Sequence, residues 1–108
     1  MRQLSYDHIG ISAYGTKPPL LQYLGVPHSE LDINPHIEEG KFNTRDIYLI
    51  CSDGLTDMLE IDELKAVLEH TEFDRIAQTL LSRALFNSGK DNISMIVCKI
   101  VHGARKLF

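Results

Sequence analysis

Two short segments constrain this chain more than any other feature: Asp46-Ile-Tyr-Leu-Ile-Cys-Ser52 and Ile93-Ser-Met-Ile-Val-Cys-Lys-Ile-Val101. Both are short, rich in β-branched residues and apolar at successive positions. A strand of that kind carries apolar side chains on both faces and needs cover on both. The first segment runs directly into Asp53-Gly54, and the second begins directly after Lys90-Asp91-Asn92. One strand thus leaves at a carboxylate and the other enters at one. Antiparallel neighbours would bring Asp53 and Asp91 to the same end of the sheet, close enough to share an ion.

Two helices fit between these strands. Asp62 to Glu69 places Leu64, Val67 and Leu68 on one face. Thr71 reads as the N-cap of the next helix, with Asp74 three residues on as a capping-box variant. In that helix Phe73, Ile76, Ala77, Leu80, Leu81, Ala84 and Leu85 recur at the helical period. Asn87, Ser88 and Gly89 end it, with Gly89 suited to a left-handed cap. Upstream, Gly15 to Pro19 is a break with two prolines. Leu20 to Leu24 reads as a helical turn, Leu31 to Glu38 as an edge strand around Pro35, and Glu39 to Arg45 as turns. The fold class that follows is α+β, with antiparallel strands and two helices.

A length of 108 residues suits one small domain. The net charge of -4 and the lack of a basic run argue against nucleic-acid binding. No apolar stretch approaches the length of a membrane span, and Met1 to Gly10 lacks the apolar core of a signal peptide, so a cytoplasmic protein is expected. Cys51 and Cys98 sit in apolar runs without zinc spacing and read as buried, reduced thiols. His8, His28, His36, His70 and His102 are scattered and form no paired ligand motif.

Two carboxylates at one end of a sheet repel each other, and a hard divalent cation relieves that repulsion. Oxygen-only ligands favour magnesium, manganese or calcium. Asp-Gly and Asp-Asn are also ordinary turn sequences, so spacing alone favours a purely structural reading.

The particular residues carry a resemblance. Asp46-Ile-Tyr-Leu-Ile-Cys-Ser-Asp-Gly-Leu-Thr-Asp-Met-Leu59 resembles the protein phosphatase 2C segment in which a strand enters Ser-Asp-Gly-Leu-(Trp/Thr)-Asp. Gly89-Lys-Asp-Asn-Ile-Ser-Met-Ile-Val97 resembles the closing Gly-x-Asp-Asn segment of that family. Gln3-Leu-Ser-Tyr-Asp-His8 and Leu20-Leu-Gln-Tyr-Leu-Gly25 look like two of its upstream segments. The four occur in the family's order and cover most of the chain, in a bacterial style.

The resemblance implies the C-terminal half of a metal-dependent serine/threonine phosphatase domain, with residues 1–108 forming a single partial domain. Its fold would be part of a β-sandwich flanked by helices. Asp53 and Asp91 would ligate one Mg2+ or Mn2+ ion. Gly54 would allow the turn that presents Asp53, while Ser52 and Asn92 would support the site. Asp57 would cap the following helix. The implied reaction is two-metal hydrolysis of phosphoserine or phosphothreonine in a phosphoprotein substrate.

The chain also departs from the pattern. Asp53-Gly54 is its only Asp-Gly, so the family's N-terminal Asp-Gly-(Met/His)-Gly motif is not within it. Ile9 stands where serine is usual, Tyr23 where arginine is common, and the region between His8 and Leu20 is short for the family's flap. No catalytic residue is therefore complete within this chain alone, and inactivity in isolation is expected. The alternative is a non-catalytic binding or regulatory module on the same fold. A sporulation- or stress-type phosphatase of the superfamily is a further one, for which Asp-Asp would be expected in place of Asp91-Asn92. With half of a sandwich missing, one apolar face or edge should stay open, which favours self-association.

Overall fold

The structure, a computed structural model, describes residues 1–7, 20, 25, 27, 34–87 and 91–101. The chain divides into two compact units, Met1–Gly40 and Lys41–Phe108.

In the first unit, residues 1–7 and 34–40 lie in neither helix nor strand. The described part of the expected edge strand, 34–38, is therefore irregular. Here the Arg2 guanidinium pairs with Glu38, and His36 Nε2 lies 3.5 Å from the other carboxylate oxygen of Glu38. Gln3 Nε2 donates to Asp7 Oδ1 at 3.2 Å. These groups are exposed, where ion pairs add little stability. The turn expected at Leu20 to Leu24 and the break at Gly15 to Pro19 lie almost wholly outside the described residues.

The second unit holds the regular structure. A turn precedes its first strand: Asp46 N–H donates to Asn43 O at 3.1 Å, and Asn43 N–H donates back to Asp46 Oδ2 at 3.0 Å. Arg45 takes a positive φ of 74° in this turn. Strand β1, Ile47–Cys51, then pairs antiparallel with β2, Met95–Lys99, in the register Ile47↔Lys99 to Cys51↔Met95. Backbone bonds extend the ladder at both ends, from Ile100 N–H to Asp46 O at 2.9 Å and from Ser52 N–H to Ser94 O at 2.8 Å. Three helices lie between the strands: α1, Asp53–Thr56; α2, Ile61–His70; and α3, Phe73–Phe86. Two antiparallel strands and three helices make a small α+β unit. No helix among the described residues is long and apolar enough to cross a membrane.

The core lies between one face of the ladder and the helices. Leu55, Leu59, Leu64, Val67, Ile76, Leu80 and Ala84 are buried, and Ile47, Leu49, Cys51, Met95 and Val97 pack against them from the strands. The strand residues follow the two-residue period, so Tyr48, Ile50, Ile96 and Cys98 fall on the opposite face. That face is not covered: Ile50 is 63% and Ile96 60% exposed. The apolar residues on both faces thus have cover on one face only.

Several local expectations need correction. Cys98 is exposed because its parity places it on the open face, opposite Tyr48. Cys51, on the covered face, is half-buried, and burial pushes its thiol pKa up. Thr71 does not cap α3. It closes α2, donating its N–H to Val67 O at 3.1 Å, and the residue before α3 is Glu72, with no side-chain cap bond. Asp57 likewise ends α1, while Glu60 precedes α2. The end of α3 falls at Asn87, whose amide Nδ2 donates to Met58 O at 2.9 Å. Gly89 lies outside the described residues.

Candidate functional site

The junction where β1 ends and β2 begins is built by backbone pairing and one hydroxyl. Ser52 Oγ lies between the two chain segments. It donates to Asn92 O at 3.3 Å and accepts from Ser94 N–H at 3.0 Å, while Ser52 N–H reaches Ser94 O at 2.8 Å. A serine fits here because its hydroxyl can donate and accept at once. Ser94 was not singled out by sequence because it contributes backbone groups, which any residue but proline would supply.

Asp53 follows Ser52 directly and opens α1; its carbonyl accepts from Asp57 N–H at 2.8 Å. The expected tight turn is thus one turn of helix. Gly54 is buried within it, and a Cβ built there would stand 2.1 Å from Asn92 O and 3.0 Å from Asn92 C. Glycine is needed at this position because the backbone of the other segment occupies the space of a side chain. Conformational freedom for a turn, the reason inferred from sequence, is not the cause.

Asp91 stands on the other side of the junction, directly before Asn92. Its Oδ1 accepts from Asn92 N–H at 2.7 Å. Because the strands are antiparallel, Asp53 and Asp91 lie at the same end of the ladder. Both are exposed to solvent. The structure therefore brings Ser52, Asp53, Gly54, Asp91 and Asn92 to one junction.

The donor set is hard oxygen. Magnesium-type sites use one or two carboxylates and leave other positions to water or phosphate, so this pair fits such an ion at an open site. It does not make a closed cage: no group of three or more acidic, histidine or cysteine side chains gathers among the described residues. His36 and His70, the described histidines, are not at the junction. His36 sits with Tyr6 and Glu38, and His70 ends α2. His8, His28 and His102 lie outside the described residues.

The knitting role of Ser52 has a measurable consequence. Ser52→Ala removes one bond donated and one accepted by a half-buried hydroxyl, so a loss of about 1–2 kcal/mol is expected. Chemical denaturation of the variant measures it. A loss confined to the error of the midpoint would mean that water replaces both bonds without cost.

With this geometry in view, comparison with known proteins is informative. The chain is 30% identical over 70 residues to the serine/threonine protein phosphatase PstP of Mycobacterium tuberculosis, which is 65% of this chain and 14% of that protein. It is 28% identical over 112 residues to the serine/threonine phosphatase stp of Listeria innocua, covering 90% of this chain and 43% of that protein. No family model matches, and no solved structure matches. The chain thus spans less than half the length of these relatives. The likenesses support a relation between this chain and the bacterial serine/threonine phosphatases.

Proposed function

We propose that this chain is the C-terminal portion of a metal-dependent serine/threonine phosphatase domain of the protein phosphatase 2C type. In this reading Asp53 and Asp91 hold one Mg2+ or Mn2+ ion, and the substrate is a phosphoprotein. The observation that carries it is that Asp53 and Asp91 stand at the same end of an antiparallel ladder, in Ser-Asp-Gly and Asp-Asn sequences. The phosphatase names of the relatives support it. The helix-backed ladder is compatible with one layer of a sandwich.

Each residue then has a task. Asp53 and Asp91 supply carboxylate oxygens. Asn92 N–H holds Oδ1 of Asp91 and so orients that carboxylate. Ser52 fixes the spacing of the two segments, and Gly54 lets them approach. When bound, a divalent ion of this kind supplies an activated water and offsets charge on phosphoryl oxygens. A complete two-metal site needs further ligands, so the chain by itself should not turn over a phosphoester.

Paramagnetic line broadening tests the site directly. Substoichiometric Mn2+ added to the 108-residue chain should first broaden the amide resonances of Gly54 and Asn92, and Asp53→Asn or Asp91→Asn should remove the effect. Binding should be weak, because water fills most of the shell. Broadening centred elsewhere, or unchanged in both variants, would reject the metal assignment. Manganese-dependent hydrolysis of p-nitrophenyl phosphate by the unaccompanied chain, lost in Asp53→Asn, would keep the metal site but overturn the expected inactivity.

A further inference from the structure

Asn87 stands at the end of α3, and its side chain crosses to a distant part of the chain: Nδ2 donates to Met58 O at 2.9 Å. We propose that Asn87 is a positioning residue for the carboxylate of Asp53. The inference rests on the reading of Asp53 and Asp91 as ligands of one divalent ion.

The reason lies in α1. It has four residues, a single turn, and so short a helix does not hold itself. Around it, Leu55 N–H reaches Ser52 O at 3.2 Å, Asp57 N–H reaches Asp53 O at 2.8 Å and Met58 N–H reaches Leu55 O at 3.1 Å. These bonds close the turn on itself and leave its direction open. Three outside contacts set that direction. Ser52 ties the entry of α1 to Asn92 and Ser94. Leu55, fully buried, anchors the middle in the core. Asn87 ties the exit, through Met58 O, to the end of α3. Asp53 sits between the first tie and the buried anchor, so a shift of the exit about Leu55 carries Asp53 with it.

An asparagine suits this task. Met58 lies in the link between α1 and α2, outside the ladder of either helix. A backbone carbonyl in such a link takes its donor from a side chain or from water. The asparagine amide supplies one, and a carbonyl acceptor requires its nitrogen to face Met58. Asn87 precedes Asp91 closely in sequence, as Met58 follows Asp53. The bond therefore joins the two carboxylate-bearing parts of the chain, as those of Ser52 do.

Mn2+ titrated into the 108-residue chain, followed by line broadening at Gly54 and Asn92, measures the effect. Asn87→Ala should raise the Mn2+ concentration for half-maximal broadening by about threefold, as one exposed neutral hydrogen bond can supply. Without metal, exchange of the Asp57 amide should quicken by a similar factor, because α1 opens locally. Gln78→Gly is the control: it weakens α3 at an exposed position in mid-helix and should leave the Mn2+ response unchanged. Equal Mn2+ responses in the parent and Asn87→Ala would overturn the proposal and leave the metal reading standing. An equal loss in Gln78→Gly would overturn it as well, since the effect would then be one of stability. So would an unchanged Asp57 exchange rate in Asn87→Ala, which would show that α1 is not held by this bond. Absence of broadening at Gly54 and Asn92 in the parent chain would reject the metal reading and this proposal together.

Discussion

Gly54→Ala should destabilise the second unit by about 3 kcal/mol, at the upper end of the usual cost of overpacking. Helix propensity predicts the opposite sign, since alanine is favoured over glycine by about 1 kcal/mol inside a helix. The contact decides the sign. The added methyl would lie 2.1 Å from Asn92 O, and that oxygen belongs to backbone, which cannot rotate away as a long side chain would. Relief requires α1 to move from the segment that leads into β2, and the neighbouring residue Leu55 is fully buried in the core. A loss of this size is a large fraction of the stability of a small domain. Urea unfolding followed by circular dichroism should show a lower midpoint at an unchanged slope. An alanine variant as stable as the parent would mean that the two segments separate without cost. Mn2+-induced broadening should also weaken, because the same movement parts Asp53 from Asp91.

The second large effect concerns α3, where two apolar ridges run side by side. Ile76, Leu80 and Ala84 recur every four residues and are each fully buried. Ala77, Leu81 and Leu85 recur at the same interval, one position on, and are exposed, Leu85 at 58%. Leu80→Ala should therefore cost about 2–5 kcal/mol, from lost burial and the cavity left behind. Leu85→Ala should cost less than about 1 kcal/mol, because most of its surface is in water already and alanine is the better helix former. The contrast is the test. Equal losses at the two positions would mean that the second ridge is covered in solution.

The two strands and the two longer helices were legible before the structure. The single turn of α1 was expected as a tight turn instead, and the described part of the expected edge strand, 34–38, is irregular. The two strands lie within the segments expected for them, and α2 and α3 start and end within one or two residues of the periodic apolar stretches. Repeating apolar periods sum over many positions, so single exceptions do not erase them. The caps were not legible in the same way. Thr71 is a good N-cap by residue type, yet the chain uses it to finish α2, because a short link between two helices must serve both ends.

The site shows the same division. Asp53 and Asp91 could be named from their positions beside two strands, and the turn-type residues around them marked a junction. Their common end depends on the antiparallel pairing of segments far apart in sequence, which only the register of β1 and β2 decides. The roles of Ser52 and Gly54 are of that kind as well. Both answer to the backbone of Asn92, and a backbone oxygen leaves no trace in residue identity.

What the amino-acid sequence determined by itself is the two strands and the two longer helices, their order, and the chemistry available at their ends. Those follow from local periodicity, from turn preferences and from the oxygen ligands that aspartates carry. What only the tertiary structure decided is which apolar surfaces become core. Strand positions 48, 50, 96 and 98 are as apolar as positions 47, 49, 95 and 97, and the ridge through Leu81 is as apolar as the one through Leu80. Burial is a property of what packs opposite, and here the helices cover one face of a two-stranded ladder and leave the other exposed.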